Sequence, residues 1–467
     1  MKIDTSNHSL GADSRLISGD QLMQDNRSIN ARTRLLLILL TAFLARLVLV
    51  CFTYKYLPDA DKLYERFGWE MGWIARALAS GHGFSSPYYP WTGPTAMQPP
   101  LYPFLLSIVF RIFGVYTLTA AFVILSLNSL MSSLICIPIY FSAKFSLGQR
   151  AAFIAAGVWA LYPFAIYFSA GRVWEYSLTG LLFTTSFCIA QRIHRSLSPF
   201  AWIGWGALAG LTALSNPSTL ATLPFLLILA LWQVRSSGHR WFMKGVLTAA
   251  TAVVVLLPWT IRNYKALGIL CPVRDNFWLE VYDDNGGDAS LDPSFAHPSS
   301  NPAEMQKFLS MGEANFLREK HQLAIDSLRN HPGFFVHKTV RRFFYYWTGF
   351  WSLSSKEIHE QPYEPANILY VCTITFFMLR GARRLWRLER TAVLPYLSLL
   401  CIFPITYYLT HPLMDYRQPI EPAIIVLAIA GAIPLKRIAA ARPTAWTGNA
   451  TKTLTSEAAL EIPVPVA

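Results

Sequence analysis

YERFGWEMGWIARALASGHGFSSPYYPWTGPTAMQPPLYPFLLSIVFRIFG, residues 64–114, follows the first strongly apolar run of the chain, and its reading decides the fold. It sets Glu70 among aromatic side chains and passes through Pro99-Pro100. It ends in a short apolar run, 101–114, interrupted by Arg111. Whether that run crosses a membrane determines the side of everything after it. Lys and Arg collect on the cytoplasmic side of a membrane protein. With the N-terminus inside and 101–114 not crossing, Lys144 and Arg150, Arg192 and Arg195, and Arg235, Arg240 and Lys244 all fall inside. So do Arg380, Arg383, Arg384, Arg387 and Arg390, and the tail residues Lys436, Arg437 and Arg442. A crossing would put the first three of these basic loops outside. The run is therefore expected to lie along the outer interface or to re-enter, as short amphipathic segments do.

A membrane class follows from composition as well. The 467 residues are 53% hydrophobic and 14% charged, with a mean hydropathy of +0.33, more apolar than a soluble domain can cover with polar surface. The net charge of +13 sits in short segments between apolar runs, which orients spans and argues against nucleic acid. Cys51, Cys136, Cys188, Cys372 and Cys401 lie inside apolar runs and Cys271 in a polar one, with no disulfide framework and no metal spacing. Arg27, Arg32 and Arg34 lead into an apolar run too long for a signal-peptide core, so a retained first span is expected.

Apolar runs of spanning length are read at about 35–54, 118–141, 151–169, 176–192, 199–215, 218–234, 245–261, 364–380, 393–410 and 418–435. The expected fold is an all-α polytopic membrane protein. It has about ten transmembrane helices, interfacial helices in the first outer loop and a small helical periplasmic domain. The organisation reads as a cytoplasmic tail (1–34), an N-terminal transmembrane module (35–261) with a catalytic outer loop (55–117), a periplasmic segment (262–363), C-terminal transmembrane helices (364–435) and a cytoplasmic tail (436–467). Within 262–363 helical patterns run over 303–310, 312–330 and 333–353, with Asn301-Pro302 as a start signal and Pro332 just inside the next helix. No alternation strong enough for a strand is present.

Three groups of residues carry the chemistry. Glu70, Trp73, Ile74 and Ala77 share one helical face, so a carboxylate projects beside aromatics where its pKa is open to tuning, as a general base requires. A solvated acid, or one paired with Arg66 a turn earlier, is the plainer alternative, and Asp59 and Asp61 are rival acids. In SAGRVWEYS (169–177), Arg172 and Glu175 either pair with each other or serve a phosphate and a sugar. Arg262 and Arg274 in PWTIRNYKALGILCPVRDNFWLE (258–280), and Tyr416 and Arg417 in THPLMDYRQPIEP (410–422), stand at outer ends of spans. Phosphate binding and interfacial anchoring both fit them. No phosphate-binding glycine loop, nucleotide fingerprint, HExxH or GxSxG occurs. His297, His331, His337 and His411 are too scattered to suggest a metal, and no cofactor is expected.

FGWEMGWIARALASGHGFSSP, QPPLYPFLLSIVFRIFG and PWTIRNYKALG with VRDNFWLE, in that order, resemble the C-type integral-membrane glycosyltransferases. Within that class they resemble bacterial glycosyltransferase family 39, related to protein O-mannosyltransferases and the lipid A aminoarabinose transferase. The resemblance spans about 35–280, and YRQPIEP is compatible with it. It implies an inverting, metal-independent transfer of a sugar from a polyprenyl-phosphate donor to a hydroxyl or amine of a lipid, glycan or protein, at the periplasmic face of a bacterial inner membrane. An acid of the first outer loop (Glu70, Asp59 or Asp61) would act as base, and cations would stabilise the departing phosphate. Those relatives carry an Asp-Glu pair about seven residues before the I-A-R, where this chain has Phe67-Gly68. The aminoarabinose type has Lys before Pro-Pro, where this chain has Gln98. The phosphate cation would then come from Arg172, Arg262, Arg274 or Arg417. A polyprenyl-linked glycan flippase is the alternative from another class; no internal repeat supports it.

Overall fold

A helix that carries an arginine inside the bilayer must satisfy it, and Arg46 in the first span does so completely. The computed structural model describes residues 19–59, 66–89, 91–286, 295–350 and 364–434. Asp61, residues 287–294 and 351–353 of the segment expected to be periplasmic, and the basic tail after 434 lie outside the described residues. Arg46, on α1 (Gly19–Thr53), is fully buried. It donates from Nε to Ser132 Oγ (3.0 Å), from Nη1 to the carbonyls of Ala42 (2.9 Å) and Ala160 (2.8 Å), and from Nη2 to the carbonyl of Trp159 (3.2 Å).

The last two carbonyls mark a break in the bundle. After α2 (Glu70–Ala79), α3 (Leu101–Phe113), α4 (Leu118–Leu134) and α5 (Cys136–Leu147), helix α6 (Gln149–Ala160) stops and α7 (Pro163–Gly171) begins at an angle of 43°. Pro163 lacks an N–H and pushes Tyr162 into an extended conformation (ψ 117°). The carbonyls this frees at the end of α6 accept from Arg46 instead of water, which the surrounding bundle excludes.

Helices α8 (Tyr176–Ala190), α9 (Pro199–Ser215), α10 (Leu223–Ser236) and α11 (Phe242–Leu267) complete the first module. α9 meets α11 through Gly206 and Gly210: a Cβ at Gly206 would lie 2.4 Å from the carbonyl oxygen of Thr248. Small residues four apart permit this backbone approach where lipid supplies no hydrophobic drive. α12 (Phe277–Asn285), α13 (Pro302–Met311), α14 (Glu313–Asn330) and α15 (Pro332–Thr348) follow, the last three close to the helical patterns expected over 303–310, 312–330 and 333–353. Asn301 caps α13 by accepting from the N–H groups of Ala303 and Glu304. α16 (Glu364–Leu388), α17 (Arg390–Ile402), α18 (Ile405–Leu409) and α19 (Glu421–Ala432) close the fold.

Among the described residues, six helical stretches are long and apolar enough to cross a membrane: Asn30–Tyr56, Leu118–Leu147, Pro217–Ser236, Phe242–Leu267, Pro365–Leu388 and Arg390–Leu409. The bent pair α6–α7 adds a seventh if counted as one span. The chain is a multi-pass, all-helical membrane protein; among the described residues the only extended pairing is one bridge, Ser85 to Pro94. Two expected runs, 176–192 and 418–435, yield shorter helices, Tyr176–Ala190 and Glu421–Ala432. Residues 414–420 turn around Asp415 and Arg417 instead of extending α19, because those charges must reach partners on other helices.

α3 is the 13-residue helix expected over 101–114. Its Leu106, Val109 and Phe110 are buried with Met71 and Ala75 of α2 and with Ile124 and Leu125 of α4, while Phe104, Ile108 and Ile112 face outward. The interrupting Arg111 donates to the carbonyl of Leu78 (2.6 Å), closing the C-terminus of α2. A separate apolar cluster, in which Tyr88 and Met97 meet Leu279, Phe308 and Phe316, joins the first long segment to the helical one.

Candidate active site

Glu70 owes its place to two strained residues. Gly68 (φ 87°) and Trp69 (φ 49°) turn the chain sharply before α2. A Cβ on Gly68 would stand 2.6 Å from the carbonyl oxygen of Val173, so only glycine fits, and Phe67 beside it is fully buried. The Phe67-Gly68 pair, where the family pattern has acids, is thus a packing device. It presses α2 against the 172–175 turn, with Trp69 edge-on to Trp174 at 6.1 Å.

Glu70 itself is buried (7% exposed). Gln98 donates from Nε2 to its Oε2 (3.4 Å), and His297 Nε2 lies 3.5 Å from its Oε1. His297 also contacts the Tyr88 hydroxyl (3.5 Å), and its Nδ1 pairs with Ser299 Oγ (2.6 Å). The expected acid is therefore held by Gln98 from its own segment and by His297 from one far along the chain. Asp59 is exposed beyond the end of α1.

Arg274 links this corner to the other long segment. It donates from Nε to the carbonyl of Met97 (2.8 Å), next to Gln98, and from Nη2 to Glu280 (3.0 Å). Glu280 lies 3.7 Å from His411 Nδ1, which bonds Asp284 at 2.8 Å, while His411 Nε2 meets the Tyr416 hydroxyl at 3.0 Å. Burial pulls the His411 imidazole down, but Asp284, with Glu280 and Asp283, outweighs it and lifts the group to about 9.

Arg172 and Glu175 do not pair with each other. Arg172 bonds Asp415 (3.3 Å), which also accepts from the Tyr176 hydroxyl (2.7 Å). Glu175 accepts from Asn216 (3.3 Å), and burial raises its carboxyl to about 8 although Arg274 pulls it down. Glu175 Oε2 and Gln98 Oε1 are buried with no hydrogen-bond partner among the described residues.

The four expected phosphate cations therefore separate. Arg417 is sealed at 1% exposure against Glu421 (2.8 Å), with the Tyr346 carbonyl at 3.0 Å. Arg262 donates to the carbonyls of Thr95 and Phe84, fastening the first segment to α11. Arg172 and Arg274 keep accessible side chains, 49% and 28% exposed. Tyr416 stacks on Tyr407 at 4.8 Å and supports His411. Sequence reasoning missed His297, His411, Glu280, Asp415 and Asn216 as members of this cluster. The signal available was that His411, Glu280 and Asp415 stand in quoted motifs, while Asn216 only ends the apolar run 199–215.

Residues 97–261 match the dolichyl-phosphate-mannose-protein mannosyltransferase family model. That match starts one residue before Gln98 and covers about a third of the chain, and it carries the resemblance read from the sequence. No curated protein matches the chain. Among solved structures, the chain is similar to the Archaeoglobus fulgidus oligosaccharyltransferase tethered to an acceptor peptide (16% identity, 84% of this chain, 49% of that one, TM-score 0.48). The same archaeal protein with an inhibitory peptide and a dolichol-phosphate gives 16% identity over 83% of this chain and 50% of that one, TM-score 0.46. ArnT from Cupriavidus metallidurans bound to undecaprenyl phosphate gives 13% identity over 85% and 77%, TM-score 0.36. The chain spans about half the length of the archaeal chains it matches.

Proposed function

We infer that the chain is a glycosyltransferase that moves a sugar from a polyprenyl-phosphate donor to a hydroxyl or amine of a lipid, glycan or protein acceptor. The observation that carries this reading is the convergence on Glu70 of Gln98, at the start of the family match, and His297, with Arg274 one residue from Gln98. Glu70 takes the acceptor proton as general base. Arg274 and Arg172, whose side chains reach water (28% and 49% exposed), stabilise the charge that develops on the departing phosphate. Glu175, raised to about 8, stays largely protonated at pH 7 and can donate to a sugar or phosphate oxygen, while Gln98 Oε1 can accept from a sugar hydroxyl. A single displacement by the acceptor inverts the anomeric carbon.

The basic loops at 144–150, 192–195 and 235–244 support an active site on the periplasmic face of a bacterial inner membrane. Segment 55–117 is the catalytic loop in this reading, and 262–363 helps to select the acceptor. The test is release of polyprenyl phosphate from a panel of polyprenyl-phosphate sugars by protein in lipid. Wild type releases it, and Glu70→Gln, with an unchanged elution profile, lowers kcat by roughly 10²–10⁴-fold. Undiminished turnover in Glu70→Gln removes the acid from its role. Absence of release with every donor and acceptor removes the transferase reading.

A further inference from the structure

The backbone of Thr95–Met97, which delivers Gln98 to Glu70, is fully hydrogen-bonded, and its partners come from distant places. The Thr95 N–H donates to the Phe84 carbonyl (3.4 Å), and the Thr95 carbonyl accepts from Arg262. The Ala96 carbonyl accepts from the Asp275 N–H (3.2 Å), the Met97 N–H donates to Thr95 Oγ1 (3.0 Å), and the Met97 carbonyl accepts from Arg274. The remaining group, the Ala96 N–H, donates to Glu313 Oε1 at 2.6 Å. Glu313 is the first residue of α14 and is 5% exposed. It is the grip that the 302–348 helices place on this strap.

The other Glu313 oxygen and both Asp275 carboxylate oxygens are buried away from water, with the Thr95 hydroxyl beside Glu313. Asp275 is a charged neighbour of Glu313. Two neighbouring carboxyls out of water are accommodated most easily when one carries a proton. Burial raises both groups. The charged or titratable groups that face the pair are Arg262 of α11, Arg274 of the following loop and the Cys271 thiol.

We propose that Glu313, sharing a proton with Asp275, is a positioning residue through which the helical segment 302–348 holds the Thr95–Gln98 strap and sets Gln98 on Glu70. The catalytic consequence rests on the transferase reading above; the clamp itself does not. The proton is bound more tightly in the native state than in the unfolded one, so the clamp is complete at low pH and fails as pH rises through the titration of the pair.

The test is amide hydrogen exchange of a peptide covering 95–98 in full-length protein in lipid, corrected for intrinsic rates, between pH 6 and 10. Wild type loses protection at the alkaline end. Glu313→Gln keeps it across the range, because its amide accepts from Ala96 and donates to a charged Asp275. Glu313→Ala lowers protection at least tenfold at every pH, and if that variant does not fold, the comparison of wild type with Glu313→Gln decides. Flat wild-type protection, or Glu313→Gln that follows the wild-type loss, overturns the proposal. Where transfer activity is established, Glu313→Gln also flattens the alkaline fall of kcat without raising the donor KM. A clamp that behaves as described in a protein that transfers no sugar overturns only the function above.

Discussion

Arg274 and Arg417 look alike in the sequence, each an arginine beside aromatics at the end of an apolar run, yet the fold uses them in opposite ways. Around Arg417 everything is closed. Its guanidinium meets Glu421 and the Tyr346 carbonyl, Glu421 accepts from the Tyr162 hydroxyl (2.8 Å), and both charges are 1% exposed. Around Arg274 the side chain is 28% exposed and bridges two segments, with Glu280 17% exposed. A charge pair withdrawn from water on all sides is a brace that no phosphate can reach without breaking it. A pair at the edge of water can exchange a carboxylate for a phosphate oxygen at little cost. Burial, more than residue type, separates the two roles.

That contrast is open to test. The largest effect is expected at the brace: Arg417→Ala leaves Glu421 buried without a counter-charge, a loss of roughly 3–5 kcal/mol, read as a fall in thermal stability and folded yield in detergent. Wild-type stability in that variant breaks the comparison. Next is Arg274→Ala, which keeps the fold and lowers kcat/KM with a polyprenyl-phosphate donor by an amount worth about 1.5–3 kcal/mol. Loss of folded protein instead would make Arg274 a second brace.

The smallest effect concerns pH. His411 is raised from 6.5 to about 9, so its contribution to stability is complete below pH 6.5 and is lost as pH rises through 9. Asp284→Asn removes the largest raising influence and brings that loss to lower pH, measurable as the shift in the alkaline limb of a melting-temperature profile. An unshifted limb assigns the alkaline loss to other groups. Glu175, raised to about 8, adds a loss of the same sign across the window between its ordinary value and pH 8.

Much of the fold is legible because it obeys local rules. Spans follow from apolar length, the start of α13 from Asn301-Pro302, and the 13-residue helix α3 from a short apolar run with one arginine. The site is legible in part for the same reason: Glu70 is an acid on an apolar face. What could not be read is pairing. Arg172 and Glu175, three residues apart, look like partners, yet Arg172 finds Asp415 and Glu175 finds Asn216, because the break after α7 turns the two side chains toward different helices. His297 reaches Glu70 across 227 positions of chain, a contact with no local signature.

The sequence by itself determined that this chain is helical, lies in a membrane and presents acids and arginines between its spans, since hydropathy, periodicity and charge placement act over a few turns of helix. Only the tertiary structure decided which of those charges are sealed and which are reachable, and which far segment holds Gln98 against Glu70. Desolvation and hydrogen bonding depend on what packs around a group, and here those neighbours include residues about 160–230 positions away in the chain.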